Sequence, residues 1–204
     1  MKRRFLFAAF VASVMVVAPA QGATLVTSGN GTALLGATSV NVDGALFDVS
    51  FQGGTYVDLF DGCDAPEDFM FTTQSAAAVA AQALLDEVFI GTFEDGPFRT
   101  RGCSDGGSCS AVIPYEYRVQ NGFLGIEEDA LFVRARNLDE MMLAPNMDGV
   151  ANGLVDIDAD LTGDILRVFA LFTPSDVAVV PLPAAGWLML GGLATLGAVG
   201  RRRG

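Results

Sequence analysis

The sequence predicts an α+β fold: an antiparallel β-sheet with one α-helix packed against it. Three observations carry this. Apolar and polar residues alternate in several short runs, which is the period of a half-buried strand. One of those runs breaks at Asp43-Gly44, the dipeptide of a tight hairpin. A single Ala-rich stretch, from Gln74 to Ile90, has helical spacing instead. Strands then outnumber helices by several to one, and a β-sandwich with an inserted helix is the alternative.

The elements follow in chain order. Residues 24–37, rich in Thr, Ser, Gly and Ala, are a first strand or a loose lead-in. From Ser39 to Phe60 a three-stranded meander is expected. Val40 and Val42 precede the Asp43-Gly44 turn; Leu46, Phe47, Val49 and Phe51 follow it. Gln52-Gly53-Gly54 then turns into Tyr56-Val57-Asp58-Leu59-Phe60. In the helix, Ser75 is the expected N-cap and Gly91 the expected stop. Its packed face is expected to carry Ala76, Val79, Ala80, Ala83, Leu84 and Val88. Residues 91–109 form a loop rich in Gly, Asp and Ser. Further strands are expected at Ser110 to Val119, Ala130 to Arg136, Leu154 to Leu161 and Ile165 to Phe172.

At 204 residues the chain suits one modest domain, and no internal repeat is evident. Its formal net charge is −12, which argues against binding a nucleic-acid backbone. Histidine is absent, so Ser-His-Asp and Cys-His catalysis and imidazole metal ligands are excluded. The charge is uneven. Lys2, Arg3 and Arg4 open the chain, and Arg201, Arg202 and Arg203 close it. Between them lie all 24 acids against six arginines, so the middle carries −18.

Both ends have the layout of address labels. Residues 1–22 have the layout of a signal peptide: a basic start, an apolar run from Phe5 to Ala18, and small residues, with cleavage expected after Gly22 and Ala20 or Ala23 as alternatives. At the other end, residues 177–204 hold an uncharged run. Ala184 to Gly200 is long enough to cross a thin bilayer as a helix, roughly 26 Å at 1.5 Å per residue. The arginine triplet behind it is expected to stay cytoplasmic. Residues 23–176 are then an acidic extracytoplasmic domain, exported from an inner-membrane precursor to the outer surface or the medium.

The ending VPLPAAGWLMLGGLATLGAVGRRRG resembles a PEP-CTERM-type protein-sorting signal, in its VPLPA-CTERM variant. The matching positions are Val180, Pro181, Leu182, Pro183 and Ala184 for the motif and Arg201, Arg202 and Arg203 for the stop-transfer cluster. The resemblance covers about the last 25 residues. It implies an exosortase, a membrane-embedded cysteine transpeptidase-like enzyme, as processing partner. It also implies a surface or matrix-associated protein of a Gram-negative bacterium that makes an extracellular polysaccharide. Prolines at the membrane edge fit this, since they hold an extended backbone that suits a protease cleft. The block around Asp61-Gly62-Cys63-Asp64 and Cys103 to Cys109 is a looser match to the ectodomains attached to such tails.

The chemistry open to the middle region is limited. Export permits disulfides, and Cys103–Cys109 is the preferred pair, closing a short Gly-rich loop and leaving Cys63 free or paired elsewhere. Asp156, Asp158 and Asp160 space carboxylates at every second residue, with Asp164 four residues on, and are weak Ca²⁺ candidates. Asn146, Asp148 and Asn152 lie upstream. The EF-hand pattern fails, because its Gly and Glu positions hold Leu161 and Arg167. The simpler expectation is a solvated strand face with Ile157, Ala159 and Leu161 pointing inward. Glu116, with Glu87 or Asp86, is the candidate carboxylate pair for a glycosidase, and Tyr115 and Tyr117 are candidates for sugar stacking. The expected function is non-catalytic, with no required cofactor; an extracellular carboxylate-dependent hydrolase and an anchored Ca²⁺- or ligand-binding module are the alternatives.

Overall fold

The computed structural model describes residues 22–122, 125–139 and 148–176. The sorting motif Val180–Ala184, the helix expected at 184–200, the Arg201–Arg203 cluster and all but the last residue of the 1–22 signal segment lie outside them. Among the described residues no helix is long and apolar enough to cross a membrane.

The described strands form one seven-stranded, mostly antiparallel sheet, with few helices beside it. Strands β1 (Thr24–Thr27), β2 (Leu34–Val42) and β3 (Ala45–Gln52) form an antiparallel meander. Val42 pairs with Ala45, so the β2–β3 turn is two residues long. Asp43 (φ 52°) and Gly44 (φ 87°) both take the left-handed conformation that a tightly twisted hairpin demands. A second meander holds β4 (Ser108–Gly122), β5 (Gly125–Leu138) and β6 (Gly149–Asp156). The last strand, β7 (Arg167–Pro174), inserts between the two, giving the order β1-β2-β3-β7-β4-β5-β6. It runs antiparallel to β3 and parallel to β4.

The expected third strand of the first meander is not formed. Tyr56–Leu59 is a helical turn, α1, because Thr55 caps it: its Oγ1 accepts the Asp58 N–H at 3.1 Å and donates to Asp58 Oδ2 at 2.8 Å. The expected strand at 154–161 is also corrected. The strand ends at Asp156, and residues 157–161 turn away from the sheet.

Helix α2 (Gln74–Glu87) forms where expected, with three changes. Its N-cap is Thr73, whose Oγ1 accepts the Ala76 N–H at 3.2 Å, and not Ser75. It ends before Gly91, with the Val88 and Phe89 N–H groups both donating to the Leu84 carbonyl. Its buried stripe is Ala77, Ala80, Ala81, Ala83 and Leu84, whereas Val79 is exposed. Alanines allow the helix close to β2 on one wing of the sheet and to β4, β5 and β6 on the other. Large rings fill the space over the middle strands: Phe51 stacks on Phe89 with centroids 5.6 Å apart, and Phe172 meets Phe71 edge-on at 5.1 Å.

The opposite face of the sheet is covered as well. Tyr56, Cys63 and Phe69 pack there on Val112, Ala130, Phe132 and Phe169, with Ile157 and Leu161 closing the edge. Both faces are therefore buried over much of the sheet. A bulge at Tyr115 serves this arrangement. Ala111, Ile113 and Tyr115 face the helix, yet Tyr117, two residues further, packs with the opposite cluster.

Candidate functional site

Cys103 and Cys109 are joined as a disulfide. Its small loop braces the start of β7. The Ser104 and Asp105 N–H groups both donate to the Ile165 carbonyl at 3.0 Å, and the Ser110 N–H donates to the Leu166 carbonyl at 2.8 Å. Asp105 Oδ1 accepts the Gly107 and Ser108 N–H groups, which sets the loop's own shape. Cys63 is free and buried in the second cluster. It is turned inward by Asp61, Gly62 and Cys63, all at positive φ. Burial, then the Asp68 and Asp64 carboxylates, push its thiol up to about 11. That is opposite to the shift an active nucleophile needs.

The acidic candidates do not converge. Asp156 Oδ1 accepts the Asp158 N–H at 2.9 Å, and Asp160 Oδ1 accepts the Thr162 N–H at 2.7 Å. Hydrogen bonds from the Thr162 hydroxyl and N–H hold the Asp160 carboxyl below the usual range. These carboxylates shape turns. They do not form the expected solvated strand face, because the strand has already ended at Asp156. Ile157 and Leu161 are buried and Ala159 partly so. Among the described residues no group of three or more His, Cys, Asp or Glu is placed to hold a metal ion. Upstream, Asp148 Oδ1 accepts the Leu138 N–H at 2.7 Å, Asn152 is exposed on β6, and Asn146 lies outside the described residues.

Two of the three carboxylates considered for hydrolysis have structural duties. Glu87 Oε2 accepts the Asn41 N–H at 3.1 Å and ties α2 to β2. Asp86 accepts from the Gln82 side chain one helical turn away. Glu116 is exposed just past the bulge. Tyr115 is buried against the helix side and Tyr117 is half-buried, so the two do not form one stacking surface.

A different cluster emerges from the sheet. Arg134 and Arg136 sit two residues apart on β5, and therefore on one face. Across from Arg136 lies Ser110 on β4, and Ser110 pairs in turn with Arg167 on β7. Three of the middle region's six arginines thus share a corner of the sheet with Ser108, Ser110, Asp164 and Leu166. They line an open cleft of about 340 Å³. Asp164 holds Arg167, with Oδ2 accepting its Nε–H at 2.7 Å while Oδ1 accepts the Leu166 and Arg167 N–H groups. The Arg134 Nε is buried and has no hydrogen-bond acceptor among the described residues. Burial, then the charges of Arg136 and Arg167, pull the Arg134 guanidinium below its ordinary value.

The one sequence signal for this cluster is the Arg134-x-Arg136 alternation. Arg167 lies far along the chain and joins only through the parallel β4–β7 pairing. Compared with protein-family models, curated proteins and solved structures, the chain matches none.

Proposed function

We propose that the chain is an exported, non-catalytic surface or matrix-associated protein. In this reading it is made as a membrane-held precursor and processed at its C-terminal tail by an exosortase-type enzyme. The observation that carries it is the pair of ends: a basic-apolar-small leader at residues 1–22, and VPLPA followed by an apolar run and Arg201–Arg203. The Cys103–Cys109 disulfide supports an oxidising destination, because such bonds persist outside the cytoplasm. The strongly acidic middle supports solubility at a surface and weak adhesion to other anions. The non-catalytic part draws support from the acids themselves, since Glu87, Asp86, Asp156 and Asp160 are engaged with backbone or neighbouring side chains.

The test is intact mass spectrometry of the protein from a host that has the processing enzyme, beside the same host without it. The expected mature form begins after Gly22 and lacks the segment beyond Val180–Ala184. An intact Arg201–Arg203 terminus in both hosts defeats the proposal.

A further inference from the structure

The arginine corner lies apart in sequence from the two ends that carry the proposed function, and its composition runs against the rest of the domain. In a region with 24 acids and six arginines, three arginines and a single carboxylate line one cleft. Grouping like charges this way costs stability unless an anion joins them. Arg167 already has Asp164, while Arg134 and Arg136 have no carboxylate within ion-pair distance among the described residues. Arg134 lines the cleft and has no hydrogen-bond acceptor for its buried Nε–H among the described residues, so its charge is left without a protein partner.

We propose that the cleft formed by Arg134, Arg136 and Arg167 binds a tetrahedral dianion: phosphate or sulfate, free or as a phosphate monoester. The charge count selects a dianion, because three guanidinium groups and the Asp164 carboxylate leave +2. The geometry selects a tetrahedral group. Arg136 and Arg167 flank Ser110 from adjacent strands, so their Cα atoms are roughly 10 Å apart at the usual strand spacing. Arg134 lies two residues further along β5, on the same face. Arg134 and Arg136 thus flank the cleft from β5 and Arg167 from β7, and Ser108 and Ser110 on β4, between them, complete its lining. A planar carboxylate offers two oxygens to three guanidinium groups and leaves one unmet; a tetrahedral ion has an oxygen for each. The domain's charge of −18 repels a long polyanion wherever it extends past the cleft, which favours a compact ion.

The Cys103–Cys109 loop holds the site together. Its N–H groups fix the Ile165 carbonyl two residues before Arg167, and it brings Ser108 to the cleft lining, with Ser110 just past the bridge.

The test is calorimetric titration of the full chain in detergent at low ionic strength and near-neutral pH. The probes are inorganic phosphate, sulfate, glucose 6-phosphate, acetate and an oligouronate. Phosphate or sulfate is expected to bind. Arg134→Gln and Arg136→Gln are each expected to weaken that binding at least about tenfold, the loss of one charge-assisted hydrogen bond. Arg136→Gln removes a repelling charge, so it is expected to melt no lower than the parent. Arg136→Lys keeps the charge without the fork and is expected to fall between the two. Arg118→Gln, at a site paired with Asp129, leaves binding unchanged. Tighter binding of glucose 6-phosphate than of phosphate identifies a sugar monoester as the occupant; equal binding identifies the free ion. No phosphate or sulfate binding at about 10 mM, a range that would still reveal millimolar affinity, overturns the proposal. So does binding untouched by both arginine variants, or preferential binding of acetate or the oligouronate.

Discussion

The ring of Phe132 lies across Gly153, its cross-strand partner on β6, so that a Cβ at position 153 would overlap the ring. Phe132 is buried with Ala130, Val112 and Phe169 and has little room to swing aside. Gly153→Ala is therefore expected to lower stability by about 1–3 kcal/mol, the usual range for overpacking. Chemical denaturation measures this. Gly36 gives a sterner case, since a Cβ there overlaps the Val49 carbonyl, which is backbone. Gly36→Ala is expected to cost more than Gly153→Ala. Shortening the ring with Phe132→Leu is expected to recover part of the Gly153→Ala loss and none of the Gly36→Ala loss.

Reduction of the Cys103–Cys109 bond is expected to destabilise the domain by about 2 kcal/mol, the loop-closure value for so short a loop. The double variant Cys103→Ala/Cys109→Ala gives the same reading without reductant. Urea midpoints with and without the bond check it. An unchanged midpoint would mean that the Ser104 and Asp105 hydrogen bonds to Ile165 hold the loop unaided.

Alkaline pH supplies a third test, through Cys63. Its thiol is raised from about 9 to about 11, first by burial and then by Asp68 and Asp64. A group whose pKa is raised by folding stabilises the fold fully below its unfolded value. That contribution is lost as pH climbs through the folded value. Stability is thus expected to fall between about pH 9 and pH 11, and Cys63→Ala is expected to flatten that fall. Tyr56, buried in the same cluster and raised by the same cause, adds to the loss once pH passes its unfolded value of about 10. Native Cys63 is expected to resist alkylation near pH 8 and to react once the chain is unfolded. Rapid labelling of the folded protein would count against a closed second core.

Features encoded over a few neighbouring residues were legible from the chain. Asp43-Gly44 dictates its hairpin because both residues tolerate positive φ. The Ala-rich run dictates α2 because its spacing and propensity agree. Cys103 and Cys109 lie within easy closure of one another. Errors arose where two local signals competed. Tyr56 to Phe60 alternates like a strand, but Thr55 and Asp58 exchange hydrogen bonds and turn it into a helix. Asp156, Asp158 and Asp160 alternate like a strand face, but each of Asp156 and Asp160 caps a turn two residues on.

The acidic middle, the first hairpin and the helix can be read from the chain alone, because all three depend on composition or on near neighbours. The entry of β7 between the two meanders, parallel to β4, is settled when the sheet assembles. That choice depends on which strand edges remain unpaired and which apolar faces remain open after the local elements have formed, and no short window of sequence records it. It buries Phe169 and Val168 on opposite faces of one strand. It also carries Arg167 across to Arg134 and Arg136, turning three scattered arginines into one cleft.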